Sequence, residues 1–287
     1  MATTKEKFKK DRALRFYNEV LGLDRLHYGL FKDSDTRNID GLIQAQLRYE
    51  EFLTGEINLL FPSSSDTHIL DVGCGTGAMS ETLYKKNFNV EGLSPDLYQK
   101  ELFEKRIPVP FHLARYQNFV SERIYDLILM SESAQYIPLK KLFAKTNELI
   151  KNQGYLMVCD YFVLNHAEGK MSKSGHRMSA FLDEANYNNF QIVKEEDITE
   201  AVLPTLDTAK IFTEKYVLPT IDIAQEKFLE RRPFIFKVLK WFFRKNIAKA
   251  KENMILIDSS EFLKNKKYMF YIFKRKTSPN NNLIEFS

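Results

Sequence analysis

Cysteine and tryptophan are scarce in this chain: two Cys and one Trp among 287 residues. Cys74 and Cys159 alone exclude a disulfide framework and a cysteine-rich zinc site, and reduced thiols in a cytoplasmic setting are the simplest reading. No His/Cys/Asp cluster has metal-ligand spacing, so no metal is expected. No stretch reaches the roughly 18 apolar residues of a membrane span. The opening MATTKEKFKKDRALRFYNEV is charged throughout and lacks the apolar core of a signal peptide. Internal repeats are absent, and low complexity is confined to the short tail TSPNNN. Charge of one sign is also in small excess, +4 overall. The excess is local. Residues 228–251, FLERRPFIFKVLKWFFRKNIAKAK, carry eight Lys/Arg against one Glu, or +7, which leaves the rest at 4 − 7 = −3. A uniformly basic nucleic-acid binder would not look like this.

What is present is ordinary globular material, 44% hydrophobic and 28% charged, with 23 Phe and 14 Tyr. Such a chain can bury one large core or a core with a substantial insertion. A helical pattern over residues 40–60 ends at Pro62. Strand and helix signals then alternate: HILDV, AMSETLYKKN, FNVEGL, DLYQKELFEKR, VPFHLA, YDLILM, LKKLFAKTNELIKN and GYLMVCDYF. FQIVKEEDIT and KYMFYIFKR complete seven strands. Near-continuous apolar runs alternating with helices predict a mostly parallel α/β sheet with helices on both faces. The expected divisions are an N-terminal helical segment and lid (1–62), a Rossmann-like core (63–200), a helical substrate-binding cap (201–265), the last strand (266–276) and a polar tail (277–287).

HILDVGCGTGAMS (68–80) carries the most chemistry. Gly73, Gly75 and Gly77 allow a tight strand-to-helix turn that brings backbone close to a ligand. The stretch fits the dinucleotide fingerprint only loosely, as Gly73-x-Gly75-x-x-Ala78. A carboxylate at that turn would repel a pyrophosphate. Asp71 suits a ligand bringing positive charge, such as an α-amino group or a sulfonium, unless it only caps the following helix.

ILDVGCGTG resembles motif I of the class I S-adenosylmethionine-dependent methyltransferases. The likeness extends over about residues 27–200, through YDLILMSESAQYI and LIKNQGYLMVCDYF. It is nearest in pattern to the small-molecule tocopherol, sterol and cyclopropane-fatty-acid types, which also carry an element like His27-Tyr28-Gly29 ahead of motif I. The resemblance implies that S-adenosylmethionine is the methyl donor, leaving as S-adenosylhomocysteine. It places the methionine ammonium on Asp71 and the methionine and ribose over Gly73, Cys74, Gly75 and Gly77. The ribose acid usual at the end of the second strand is replaced by Ser94, with Asp96 two residues on. A ribose site shared by Ser94 and Gln99 is the favoured reading. Backbone at Arg115 and Tyr116 would meet the adenine, and Ser131 and Glu132 would lie beneath the transferred methyl group.

Methyl transfer draws most of its rate from alignment and exclusion of water, with a base needed only where the acceptor must lose a proton. Glu132 is the first candidate, against a plain reading as a loop or helix-start charge. His166 follows, against a surface reading, and Tyr136, Tyr161 and His176 are further candidates. Tyr28 is expected to fold over the sulfonium. In the basic segment, Ile235, Leu239, Phe242, Phe243, Ile247 and Ala250 share one helical face. That face packs on the core, lines a pocket for a lipophilic acceptor with Trp241, or rests on anionic lipid as a peripheral membrane contact. The competing functional classes are a nicotinamide-dependent oxidoreductase, disfavoured by Asp71 and by the lack of a second mononucleotide half, and a catalytically silent cofactor-binding module.

Overall fold

The computed structural model describes residues 8–276 apart from Phe243. The polar tail 277–287 and the side chains of Phe243, Ile247 and Ala250 lie outside the described residues. A short helix α1 (Arg12–Arg15) leads through a loop to α2 (Ile39–Leu60). Asn38 caps α2 by accepting the Gly41 N–H at 2.8 Å. The buried side of α2 recurs at helical spacing and includes Gln46, Tyr49, Glu50 and Thr54 beside Leu53 and Ile57.

The core alternates as the apolar runs predict. In chain order come β1 (His68–Val72), α3 (Ala78–Lys85), β2 (Asn89–Ser94), α4 (Leu97–Arg106), β3 (Phe111–Leu113), β4 (Tyr125–Ser131), α5 (Leu139–Leu149) and β5 (Ile150–Val163). Then follow β6 (His176–Arg177), α6 (Met178–Tyr187) and β7 (Phe190–Asp197). The helices α7 (Thr199–Val202), α8 (Pro204–Phe212), α9 (Leu218–Arg231), α10 (Pro233–Phe242), α11 (Arg244–Asn253) and α12 (Ser259–Asn265) precede β8 (Lys266–Arg275). The strands form one sheet in the order β3-β2-β1-β4-β5-β8-β7, with the two-residue β6 paired to β5. Pairings from β3 across to β5 are parallel, and β8 runs antiparallel to both β5 and β7. The expected Rossmann-like seven-stranded sheet is present, with β6 as an eighth strand too short to show period-two patterning.

Alternate residues face opposite sides. Leu70, Ile128, Met130, Leu156 and Val158 join Phe143 and Phe181 on one face. Ile69, Leu127, Leu129, Met157 and Cys159 join Tyr49, Leu53 and Ile57 of α2 on the other. The chain leaves β1 toward β2 and β3, then returns to place β4 on the opposite side of β1. Such a reversal opens a crevice at the carboxyl ends of the strands.

The segment before β8 differs from the core-facing reading. Among the described residues burial lapses after Thr208 in α8 and resumes only at Phe262 in α12, and no residue of α9 or α10 is buried. Phe234 (78% exposed) and Trp241 (65%) lie open. The physical reason is continuity: α8 runs through a wider turn at Thr213–Val217 into α9 with helical dihedrals throughout, so the chain does not fold back onto the sheet there.

Candidate active site

A cleft of about 1630 Å³ lies at the carboxyl ends of β1, β2 and β4. Its floor is the glycine turn. Gly73, Gly75 and Gly77 all take positive φ (75°, 57° and 84°), but a side chain would meet different things at each. A Cβ on Gly73 would come within 2.5 Å of Ser133, and one on Gly77 within 2.7 Å of Phe103, so packing demands those two. A Cβ on Gly75 meets nothing within 4 Å. Gly75 lines the cleft, so its bareness leaves room for a ligand rather than for protein.

Asp71 is buried on β1 at this floor, and its Oδ2 accepts the Ser80 hydroxyl at 2.5 Å. It caps nothing, because the N-cap of α3 is Gly77. Burial raises its pKa to about 6, against the Ser80 hydrogen bond, which lowers it; the nearby Glu50 charge adds to the rise. Beside it Arg25 Nε stands 2.9 Å from Glu50 Oε2, and His27 Nε2 3.5 Å from Glu50 Oε1. Neither of those nitrogens has hydrogen-bonding geometry to a partner. One end of the cleft is thus lined by two buried carboxylates, an arginine and a histidine.

Farther along, Ser94 is buried and its Oγ accepts the Asp96 N–H at 3.2 Å. Asp96 caps α4: Oδ1 accepts N–H groups of Tyr98 (2.9 Å) and Gln99 (2.8 Å), while Oδ2 accepts that of Asp11 (2.8 Å). Its carboxylate is therefore engaged in holding chain. Gln99 is different. Its Oε1 is buried in the cleft without a partner. The Cys74 side chain turns toward Phe103 and Ile107, with its thiol pKa pushed up by burial. The Tyr116 hydroxyl bonds Thr146 at 2.9 Å in the core, and Tyr116 and Arg115 line the same stretch of the cleft.

The far wall holds Ser131 and Glu132 at the end of β4. Glu132 has φ 55°, a strained conformation for a residue with a side chain. Its Oε1 accepts the Tyr28 N–H and the Tyr268 hydroxyl, each at 2.6 Å. The Tyr268 hydroxyl also meets Tyr49 OH at 3.1 Å, which in turn meets Ser131 Oγ at 3.0 Å. Burial raises the Glu132 pKa, and His27 and the two hydrogen bonds pull it back. Asp160, also buried, is raised further by burial and by the charge of Glu132.

The other candidates separate cleanly. The Tyr28 ring packs at 5.3 Å from Tyr268 and 6.4 Å from Phe262, and Tyr28 does not line the cleft. His166 is exposed with Nε2 2.8 Å from Lys264 O, outside the cleft. His176 sits 2.9 Å from Ala134 O, and burial lowers its pKa. Tyr161 packs edge-on to Phe262, whereas Tyr136 lines the cleft. Trp241 and the remainder of α10 do not line it. Sequence reasoning missed Arg25, Glu50, Tyr49 and Tyr268. Glu50 and Tyr49 had one available signal, a cluster of polar side chains with Gln46 and Thr54 on the buried stripe of α2.

The family model of the methyltransferase domain matches residues 44–202, more than half of the chain. The chain belongs to the methyltransferase domain family. Its sheet is that of the class I S-adenosylmethionine-dependent methyltransferases. The methyltransferase superposes on a Galdieria sulphuraria protein assigned as a sarcosine dimethylglycine methyltransferase (TM-score 0.69, 16% identity, 93% of this chain and 99% of that one). It also superposes on geranyl diphosphate C-methyltransferase of Streptomyces coelicolor A3(2) (0.65, 15%, 93% and 94%). A third is the cyclopropane synthase MmaA2 of Mycobacterium tuberculosis (0.63, 13%, 88% and 90%). No curated protein matches the methyltransferase in sequence. No group of residues able to hold a metal ion occurs among the described residues.

Proposed function

We propose that this methyltransferase moves the methyl group of S-adenosylmethionine to a small, lipophilic organic acceptor, through an oxygen, nitrogen or carbon nucleophile. The observation that carries the reading is Asp71, a buried carboxylate above which the backbone of Gly75 is left bare. An unpaired buried anion calls for a cation, and the ammonium of an amino-acid end supplies one. Gln99 Oε1, buried and without a partner, is an acceptor for a ribose hydroxyl, with Ser94 beside it. Arg115 and Tyr116 would offer backbone to the adenine. Bound there, S-adenosylmethionine supplies a methyl group activated by a sulfonium. Ser131 and Glu132 face the same cleft from the opposite wall. Glu132, held by Tyr28 N–H and Tyr268 OH through one oxygen, has the other free to take a proton from the acceptor or to stabilise developing positive charge.

The stretch from Phe8 to Leu14 borders the cleft and is fastened to α4 through Asp96 and through Lys10, 2.6 Å from Glu101. It acts as a lid that excludes water from the transfer. Phe8, Leu14, Leu26 and Ile137 give the cleft apolar walls suited to a lipophilic acceptor. The volume exceeds the roughly 300–1,000 Å³ of a one-ligand pocket and leaves room for donor and acceptor together. Calorimetric titration with S-adenosylhomocysteine and, separately, NAD tests the donor. Saturable binding of S-adenosylhomocysteine is expected; binding of NAD alone refutes the proposal and favours an oxidoreductase.

A further inference from the structure

The segment 218–253 is not used by the cleft. Within α10 two apolar rows run along the helix, Phe234, Val238 and Trp241, and Ile235, Leu239 and Phe242, each at spacings of four and three. All six are exposed. The basic side is narrow: Lys237, Lys240 and Arg244 stand three and four residues apart, with Lys240 Nζ 5.9 Å over the Phe236 ring and the Arg244 guanidinium 5.4 Å over Trp241. Isolated exposed apolar residues are ordinary, but a contiguous row of this kind marks a contact surface. A second lysine cluster adjoins it. Lys170 and Lys173 meet Lys245 and Lys249 of α11 around a pocket of about 600 Å³. Of the four, Lys170 is balanced, 2.7 Å from Glu252.

We infer that this face docks on an anionic lipid surface, with the apolar rows of α10 entering the headgroup–acyl boundary and the lysine pocket receiving headgroup phosphates. Charge complementarity selects this occupant. The segment 228–251 carries +7 on a chain whose remainder is −3, so a second copy would bring like charge against like. An amphipathic helix with Lys/Arg beside Phe and Trp is the pattern that lies in a membrane interface. Among the described residues no helix is long and apolar enough to cross a membrane, so the contact is one of lying on the surface. This surface is separate from the donor site and stands or falls independently of it.

Trp241 is the sole tryptophan, so its fluorescence reports on this face alone. The full chain is mixed with phosphatidylcholine vesicles, with and without phosphatidylglycerol, for flotation and emission spectra. Expected are co-flotation and a blue shift only with the anionic vesicles, both weakened by salt. Each neutralised lysine lowers the partition coefficient about five-fold, so Lys245→Gln with Lys249→Gln lowers it about 25-fold. Trp241→Asp removes flotation while S-adenosylhomocysteine binding stays as in wild type, which shows the variant is folded. Absence of wild-type flotation with anionic vesicles overturns the inference. So does a blue shift that follows protein concentration without vesicles, because a second copy would then cover the face.

Discussion

Replacing Asp71 with Asn should make the free protein more stable and nearly useless for binding donor. The carboxylate is buried with one hydroxyl partner, and its pKa stands at about 6 against an ordinary 3.8. That difference of about two pH units, at about 1.36 kcal/mol each, corresponds to about 3 kcal/mol of unfavourable charge burial. Water entering the open cleft relieves part of it, so Asp71→Asn should gain about 1–3 kcal/mol, or about 2–5 °C in Tm for a domain of this size. Asn retains the oxygen that accepts from Ser80, and it removes the repulsion with Glu50.

The pH dependence follows from the sign of the shift. The folded-state value is raised, so well below the ordinary value of 3.8 the carboxyl is protonated in both states and the penalty vanishes. Above about pH 6 both states are ionised and the penalty is complete. The stability difference between variant and wild type should therefore be small at pH 4, about a fifth of its full size, and full at pH 8. Differential scanning calorimetry at the two values measures it. Binding should move the opposite way: losing a buried charge partner costs about 2–5 kcal/mol, which weakens S-adenosylhomocysteine roughly 30-fold or more by titration calorimetry. A gain of the same size at both pH values, no gain at pH 8, or wild-type affinity in the variant would refute the assignment of Asp71 as a desolvated anion held for a cationic ligand.

The two loop glycines should fail differently: Gly75→Ala costs about 1–2 kcal/mol for its positive φ yet folds and loses donor binding, whereas Gly77→Ala strikes Phe103 and lowers Tm further; calorimetry reads both. Tyr268→Phe removes a hydrogen bond that lowers the Glu132 pKa, so Glu132 should keep its proton to higher pH. The infrared carbonyl band lost in Glu132→Gln tracks that titration, and an unchanged midpoint counts against the contact. Asp96→Ala removes both the α4 cap, at about 1 kcal/mol, and the anchor of Asp11. Trypsin should then cut faster at Lys9, Lys10 or Arg12, and S-adenosylhomocysteine should dissociate faster in stopped flow; unaltered cleavage would mean Asp96 does not hold the lid.

The core was legible because its determinants are local. Buried parallel strands read as apolar runs, the helices between them carry their own periodicity, and Gly73, Gly75 and Gly77 announce a turn that side chains cannot make. Asp71 was legible as an electrostatic anomaly, a charge where a phosphate site would not tolerate one. The far wall was less so. Glu132 is expected from the sequence beneath the methyl position, but the groups that hold its carboxylate come from distant chain: Tyr28 toward the amino end and Tyr268 on the last strand, 136 residues away. Nothing in the spacing of either residue encodes that meeting; it exists only once β8 inserts antiparallel between β5 and β7.

The misplaced candidates fail for a related reason. His166 and Tyr28 have the right chemistry and lie near the right strand ends in sequence, yet a side chain's direction is decided by packing. Lys264 O draws the His166 ring outward, and Tyr268 and Phe262 draw the Tyr28 ring away from the cleft. The α10 pattern shows the same limit from the opposite side. Periodicity at 3.6 residues establishes that a helix has an apolar face, not what covers it, and three occupants were consistent with the spacing. The fold removes two of them, the core and the acceptor cleft, by leaving every residue of α9 and α10 unburied. Among the described residues nothing covers that face, and of what remains only the charge pattern, +7 beside an apolar row, carries information about its occupant.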